Sequence, residues 1–214
     1  MASTAILFIT LALFNSICIS LGFDTSPLLD FCVADSTGKA ACKDPKTVTA
    51  NDFFLGGPHL PANTSNPNGV SINFAGAATV PGFNTLGLTL GRVEFARNGY
   101  LPPHIHPRAS EVIYVVEGAV EAGFITSSPE YKYYTKILKT GDVYIVPIGL
   151  VHHVRNVAKG KSVVTATFNS QSPGFISLPN NIFAAKPPVD TNFLAATFKL
   201  DEKTVKDLQT KSWL

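Results

Sequence analysis

The chain has 214 residues, with 17 basic and 15 acidic side chains and a formal net charge of +2. So small an excess, spread along the sequence, argues against a nucleic-acid-binding surface and against a polybasic membrane anchor. The length suits one domain with a sizeable buried core.

Residues 1–22 are predicted to be a secretory signal peptide and not part of the fold. Residues 5–21 are almost wholly apolar, small residues stand at Ser20 and Gly22, and the first charged side chain is Asp24. The alternative is a membrane anchor, which would need about 20 apolar residues and basic flanks. Because those flanks are missing, we favour export, with no membrane span in the mature chain.

Residues 23–70 are predicted to form an irregular arm rich in proline and glycine. Once Cys18 leaves with the signal peptide, Cys32 and Cys42 remain, an even number that predicts a disulfide in an oxidising compartment. The alternative is two separate buried thiols. The bond would close a loop of about ten residues and stabilise the fold by roughly 3 kcal/mol. The arm also holds the one sequon, which predicts N-glycosylation at Asn63 on a surface loop.

Residues 71–180 are predicted to be an all-β barrel or sandwich, because short apolar and β-branched runs alternate there with turn residues. The predicted strand runs are 85–95, 111–126, 133–138, 143–146, 151–157 and 162–168. Residues 112–116 are apolar at every position, which predicts a strand covered on both faces.

Residues 181–214 are predicted to be a short helical extension. Residues 190–196 and 201–211 carry helical spacing of apolar side chains, and Asp201 suits an N-cap. The extension has more apolar surface than a small appendage buries on itself. We predict that it packs against a neighbouring subunit. The alternative is that these side chains cover only their own barrel.

Four of the five histidines lie in two segments that each begin with a glycine, residues 99–118 and 141–156. His104 and His106 share one face of a strand, and a turn at Pro107 allows Glu111 to open the next strand facing inward. His152 follows a Pro-x-Gly turn on a strand that can lie beside them. Three neutral imidazoles and one carboxylate suit a divalent cation. The alternative is a pair of surface histidines in a proline-rich turn.

The two segments resemble the paired motifs of cupins in their germin form. The first motif has two histidines one residue apart and a glutamate; the second has a proline, a glycine, a histidine and an asparagine. The matching residues, with the bounding glycines, are Gly99, His104, His106, Glu111, Gly118, Gly141, Pro147, Gly149, His152 and Asn156. Residues 30–35 and 168–174 also resemble the corresponding segments of germin-like proteins, so the resemblance covers nearly the whole mature chain.

This resemblance implies a cupin jelly-roll β-barrel that binds manganese (Mn²⁺), is secreted to the apoplast of the plant cell wall, and assembles as a homohexamer of three dimers. The implied metal ligands are His104, His106, Glu111 and His152. A small anion or other small molecule would bind at the metal. His153 matches no ligand position and by strand alternation faces away. Asn156 is interpreted as a turn residue or as a support behind the ligands.

Two positions separate the candidate functions. The resemblance implies that oxalate oxidases of this family have two asparagines near the substrate. At the matching positions this chain has Gly91 and Leu101. Neither can donate a side-chain hydrogen bond to a carboxylate, so oxalate oxidation is disfavoured. We favour a manganese-binding germin-like protein connected to defence or the cell wall, with superoxide dismutation as its candidate activity. The alternative is a non-catalytic, receptor-like protein that binds a small ligand of the auxin type.

Overall fold

The computed structural model describes residues 29–35, 42–211 and 213. The predicted signal peptide, residues 1–22, lies outside these ranges. Within them, no helix is long and apolar enough to cross a membrane.

Ten strands in the described part of the chain form two antiparallel sheets that share one core, which confirms the predicted β-barrel. The strands are β1 (Val70–Ala75), β2 (Thr89–Phe95), β3 (Tyr100–Ile105), β4 (Glu111–Glu117), β5 (Ala119–Ile125), β6 (Tyr133–Lys139), β7 (Val143–Val146), β8 (Val151–Asn156), β9 (Ser162–Phe168) and β10 (Ile176–Ser177). One sheet has the order β1-β2-β9-β4-β7 and the other β10-β3-β8-β5-β6. The chain crosses between the sheets at most of its connections, as in a jelly roll.

The strands match the predicted runs with two kinds of difference. The run 111–126 is two strands, because Gly118 adopts a φ of +82° and a Cβ there would collide with Ser162. That left-handed conformation suits glycine and turns the chain from one sheet to the other. In addition, β1, β3 and β10 lie outside the predicted runs.

Strand β4 corrects one prediction. Residues 112–116 were expected to be covered on both faces, but Val112, Tyr114 and Val116 are 40%, 43% and 44% exposed in the single chain. Because side chains alternate along a strand, Ile113 and Val115 fill the core while the other three face outward. The continuous apolar run therefore reflects one core face and one apolar outer face.

The N-terminal arm has an internal disulfide and is held to the rest of the fold by hydrogen bonds. Cys32 and Cys42 form the predicted disulfide. The Ala34 amide donates to the Pro81 carbonyl at 3.1 Å, and Asn84 donates to Cys32 Sγ at 3.4 Å. Short 3-10 helices lie at Pro45–Thr47, Ala50–Phe53 and Pro81–Phe83.

The described C-terminal residues include three short helices: α1 (Leu178–Phe183), α2 (Thr191–Phe198) and α3 (Glu202–Thr210). Both α2 and α3 begin at aspartate caps, with Asp201 accepting a hydrogen bond from the Thr204 amide at 2.8 Å. Leu194 and Val205 are buried between α2 and α3. Beyond α3, the Trp213 carbonyl accepts a hydrogen bond from the buried Asn68 side chain at 2.7 Å.

Candidate metal centre

Three strands, drawn from both sheets, bring the four predicted ligands together. His104 lies near the end of β3 and pairs directly with His152 of β8 in the same sheet. His106 follows one residue after β3 ends, and Glu111 opens β4 in the other sheet. The cluster therefore lies between the two sheets, at one end of the barrel core.

The four side chains converge in a buried site. One possible ligand atom from each of them lies within 4.8 Å of all the others. His104 and His152 are 1% exposed, and His106 and Glu111 are 5% exposed. Polar groups so deeply buried need partners, because an unpaired buried polar group costs about 1–3 kcal/mol.

Backbone carbonyls fix the tautomer of all three imidazoles. The Nδ1–carbonyl pairs are His104 with Pro102 at 2.8 Å, His106 with Gly174 at 2.6 Å, and His152 with Leu150 at 2.9 Å. A carbonyl oxygen can only accept a hydrogen bond, so each Nδ1 carries the proton. Each Nε2 therefore presents its lone pair, which is the form that binds a metal ion.

Burial also favours the neutral form of the His104 and His106 imidazoles. Desolvation lowers the pKa of His104 well below its ordinary value, and the neighbouring His152 adds to that effect. Desolvation also lowers the pKa of His106, which the nearby Glu111 carboxylate partly offsets. Neutral imidazoles are the ligating form, so the apo site is already prepared for a cation.

We expect the metal-free protein to lose stability as the pH falls below about 6.5, the ordinary pKa of histidine. The pKa values of His104 and His106 are lowered in the folded state, so the unfolded chain binds more protons than the folded chain as the pH falls. This difference lowers the free energy of unfolding. Thermal denaturation of chelator-treated protein across this pH range measures the effect. His59→Gln replaces an exposed histidine of the arm and should leave the pH profile unchanged. A flat profile for the wild type would contradict the expectation.

Two atoms of the cluster show why its residues fit a cation. Glu111 Oε2 and His152 Nε2 are buried and have no hydrogen-bond partner, although they lie only 3.0 Å apart. With the His152 proton on Nδ1, both atoms carry lone pairs and neither can donate to the other. A divalent cation bound by this cluster would give both lone pairs a partner, and His106 Nε2, which lies 3.6 Å from the same carboxylate oxygen, could also donate to it. The donor set therefore fits a divalent metal.

Aromatic rings that the sequence did not predict surround the ligands. Phe175 stacks on His104 with ring centroids 4.7 Å apart, and Phe168 meets His106 edge-on at 4.6 Å. These rings restrict the imidazoles and keep bulk water from them. Both phenylalanines follow the second motif, in or after β9, and their place beside His106 depends on strand pairing rather than on any local pattern.

The two positions that separated the candidate functions both face the core. Leu101 is 7% exposed and lines the space beside the ligands. Gly91 lies on the inward face of β2 and offers only backbone there. The wall beside the ligands is therefore apolar at Leu101, and position 91 contributes no side chain to it.

His153 and Asn156 lie on β8 but serve other contacts. His153 is on the face opposite His152, where its Nε2 lies 2.7 Å from the Tyr133 hydroxyl. Asn156, at the far end of β8, donates to the carbonyls of Ala96 and Gly160 at 2.8 Å each. Its Oδ1 accepts from the Ser162 hydroxyl at 2.8 Å. These hydrogen bonds make Asn156 part of the turn between β8 and β9.

Comparison with known proteins gives consistent matches. A family model described as Cupin matches residues 57–206. The chain is 41% identical over 216 residues to "Putative germin-like protein 2-1" of Oryza sativa subsp. japonica, covering 99% of this chain and 100% of that protein. It is 44% identical over 219 residues to "Putative germin-like protein subfamily 1 member 9" of Arabidopsis thaliana, covering 99% and 96%.

Solved structures show the same likeness in three dimensions. The chain is similar to a recombinant oxalate oxidase in complex with glycolate, with a TM-score of 0.82 and 36% identity over 86% of this chain and 95% of that chain. It is also similar to Peruvianin-I, described as a cysteine peptidase from Thevetia peruviana latex. That match has a TM-score of 0.67 and 34% identity, over 71% of this chain and 96% of the other.

Proposed function

Because the chain belongs to the germin-like proteins of the cupin family, we propose that it is a secreted manganese protein of the plant cell wall. Its proposed activity is superoxide dismutation, with a role in defence. The observation that carries the proposal is the buried cluster of three Nε2 lone pairs and one carboxylate, with Glu111 Oε2 and His152 Nε2 left unpartnered. The test is metal analysis of protein from its native compartment, with superoxide and oxalate assays on the same sample.

Manganese suits this donor set. Imidazole and carboxylate ligands together favour a divalent cation of intermediate hardness, and the resemblance to germins supports manganese among such ions. A bound manganese ion would supply the one-electron redox chemistry that dismutation needs. His104, His106, Glu111 and His152 would hold it, leaving room for water or a small anion on a cation that accepts six ligands.

The protein's own groups orient and shield this centre. The carbonyls of Pro102, Leu150 and Gly174 hold the imidazoles with Nε2 directed inward. The rings of Phe168 and Phe175 keep bulk water from the ligands. Superoxide is small and singly charged, so its access requires little beyond an open position at the cluster.

Oxalate oxidation fits the site less well. The solved oxalate oxidase shares the fold with this chain, but its activity does not follow from 36% identity. Oxalate carries two carboxylates, and Gly91 and Leu101 give neither of them a side-chain donor. We therefore propose that this chain is not an oxalate oxidase.

One observation favours a second candidate function. A cavity of about 290 Å³ lies beside His106 and is lined mainly by apolar side chains, among them Ala77, Pro173 and Phe175. A cavity of this kind suits a small, largely apolar molecule. The alternative is thus a non-catalytic, receptor-like protein of the extracellular matrix that binds a ligand of the auxin type.

The N-terminal arm supports the proposal of secretion. The disulfide between Cys32 and Cys42 suits an oxidising compartment. Asn63 is exposed, as N-glycosylation requires. We propose that Asn63 carries a glycan in the mature protein, which a mass shift on glycosidase treatment would detect.

Two apolar surfaces support a homohexamer of three dimers. Val112, Tyr114 and Val116 form an apolar outer face on β4, and Phe193 and Phe198 are 61% and 42% exposed on α2. Exposed apolar faces of this kind are typical of subunit interfaces. We propose that both are covered by neighbouring subunits.

We expect Phe193→Asp to weaken this assembly about tenfold or more, because buried aromatic residues often dominate interface energy. Phe193 is largely exposed in the single chain, so the variant should still fold. Light scattering over a dilution series measures the mass of the assembly. Lys206→Asp on α3 is the matched control, since it also adds negative charge to an exposed helical position. An unchanged dilution profile for Phe193→Asp would show that this face is not an interface.

A further inference from the structure

A row of three core-facing residues near the ligand cluster consists of one large aromatic residue, one glycine and one alanine. Phe74 of β1 pairs with Gly91 of β2, and Gly91 pairs with Ala166 of β9. Directly opposite residues in antiparallel strands share a face of the sheet. The row faces the core, because the next inward residue of β2, Val93, is buried there.

The ring of Phe74 uses the space that Gly91 leaves. A Cβ built at Gly91 would lie 3.2 Å from Cε1 and 3.4 Å from Cδ1 of Phe74. The first distance is tighter than ordinary van der Waals contact, so a larger residue at position 91 would displace the ring. The Phe74 ring can therefore occupy this position only because residue 91 is a glycine.

Two cavities meet at this ring. The inner cavity, of about 20 Å³, is lined by His104, His106 and Glu111 as well as by apolar side chains. The outer cavity is the one of about 290 Å³ described above. Both cavities are lined by Phe74, His106 and Phe175, so these three side chains form the boundary between them, and His104 and Glu111 line only the inner cavity. The inner cavity holds about one water molecule, which needs roughly 10–15 Å³.

The two rings differ in what holds them. Phe175 stacks on His104, and the carbonyl of its neighbour Gly174 accepts the His106 hydrogen bond. Phe74 is 44% exposed and lies against the backbone of Gly91. Replacing Phe74 therefore opens the passage while leaving the hydrogen bonds of the ligands in place.

We propose that Phe74 sets the size of the molecule that reaches the metal ligands. While the Phe74 ring lies over Gly91, the inner cavity admits species of one or two non-hydrogen atoms, such as water or superoxide. It excludes dicarboxylates such as oxalate. This inference rests on the proposed function, since it assumes a metal with an open position. It adds a steric barrier on β1 to the missing polar partners at positions 91 and 101.

The test compares manganese-loaded wild type, Phe74→Ala and the control Phe54→Ala, which removes a 68% exposed ring from the arm. Electron paramagnetic resonance of the bound Mn(II) follows titration with fluoride, which is one atom in size, and with oxalate. Metal content after each titration distinguishes binding from extraction of the ion. Wild type and Phe54→Ala should respond to fluoride and only weakly to oxalate. Phe74→Ala should bind oxalate about tenfold more tightly or better, with its fluoride response unchanged.

Equal oxalate affinity in wild type and Phe74→Ala would overturn the size barrier while leaving the metal site intact. If the wild type responds to neither anion and Phe74→Ala responds to both, the Phe74 ring blocks all access of anions to the ligand cluster. That result supports Phe74 as the barrier but removes the open position that dismutation needs. If no variant responds to either anion despite full metal loading, both the barrier and the proposed function fall.

Discussion

Replacing His152 by alanine should empty the metal site and abolish the stabilisation that bound metal gives the protein. His152 is 1% exposed, and its Nε2 lies 3.0 Å from the Glu111 carboxylate, so its loss removes a central donor. A ligand that binds only the folded state stabilises it by about 4 kcal/mol at a thousand times its dissociation constant. The wild-type melting temperature should therefore rise on metal addition, whereas that of His152→Ala should not.

The neighbouring residue provides the matched control. His153 lies on the opposite face of β8 and contacts Tyr133, so His153→Ala removes an imidazole from the same strand without touching the cluster. Elemental analysis gives the metal stoichiometry, and thermal denaturation with and without metal separates ligation from lost packing. Stoichiometric metal in His152→Ala, or equal metal loss in His153→Ala, would contradict the assigned ligand set.

The manganese-loaded protein should dismutate superoxide and produce negligible hydrogen peroxide from oxalate. Placing a carboxylate against Leu101 without a donor costs on the order of 2 kcal/mol or more. That cost corresponds to roughly a thirtyfold loss of rate or affinity. Superoxide needs no second carboxylate site, so the same apolar wall hardly affects it. Both activities are measured on one preparation, with His152→Ala as the metal-free control.

Two results would contradict this expectation in different ways. Robust hydrogen peroxide production from oxalate would show that the interpretation of Gly91 and Leu101 is wrong. Absence of both activities in a fully metallated hexamer would favour the non-catalytic binding protein. Dismutase activity that persists in His152→Ala would show that the cluster is not the reactive site.

The sequence predicted the ligand set because two local regularities determine it. Strand alternation places His104 and His106 on one face, and the turn after Pro107 brings Glu111 inward. The disulfide followed from the two cysteines that remain once the predicted signal peptide is removed. The helices α2 and α3 followed from apolar spacing and an aspartate cap.

The features that the sequence did not predict depend on pairing between distant strands. The hydrogen bond from His106 to the Gly174 carbonyl joins residues 68 positions apart. The packing of Phe74 on Gly91 depends on the register of β1 against β2. Residues 112–116 have the same apolar pattern whether β4 is covered on both faces by its own chain or only on one, so their outward exposure required the structure.

Because the ligands come from both sheets, the order in which the chain is synthesised constrains when metal can enter. Glu111 opens β4, which is held between β7 and β9, and β9 ends at Phe168. The four candidate donors therefore meet only when β8 has been made and strands of both sheets have come together, well after His104 and His106 leave the ribosome. A metal ion held by all four would enter late, as the barrel completes its folding. Its identity in purified protein would then reflect the metal supply of the compartment where the chain finished folding, more than the affinity order of its ligands.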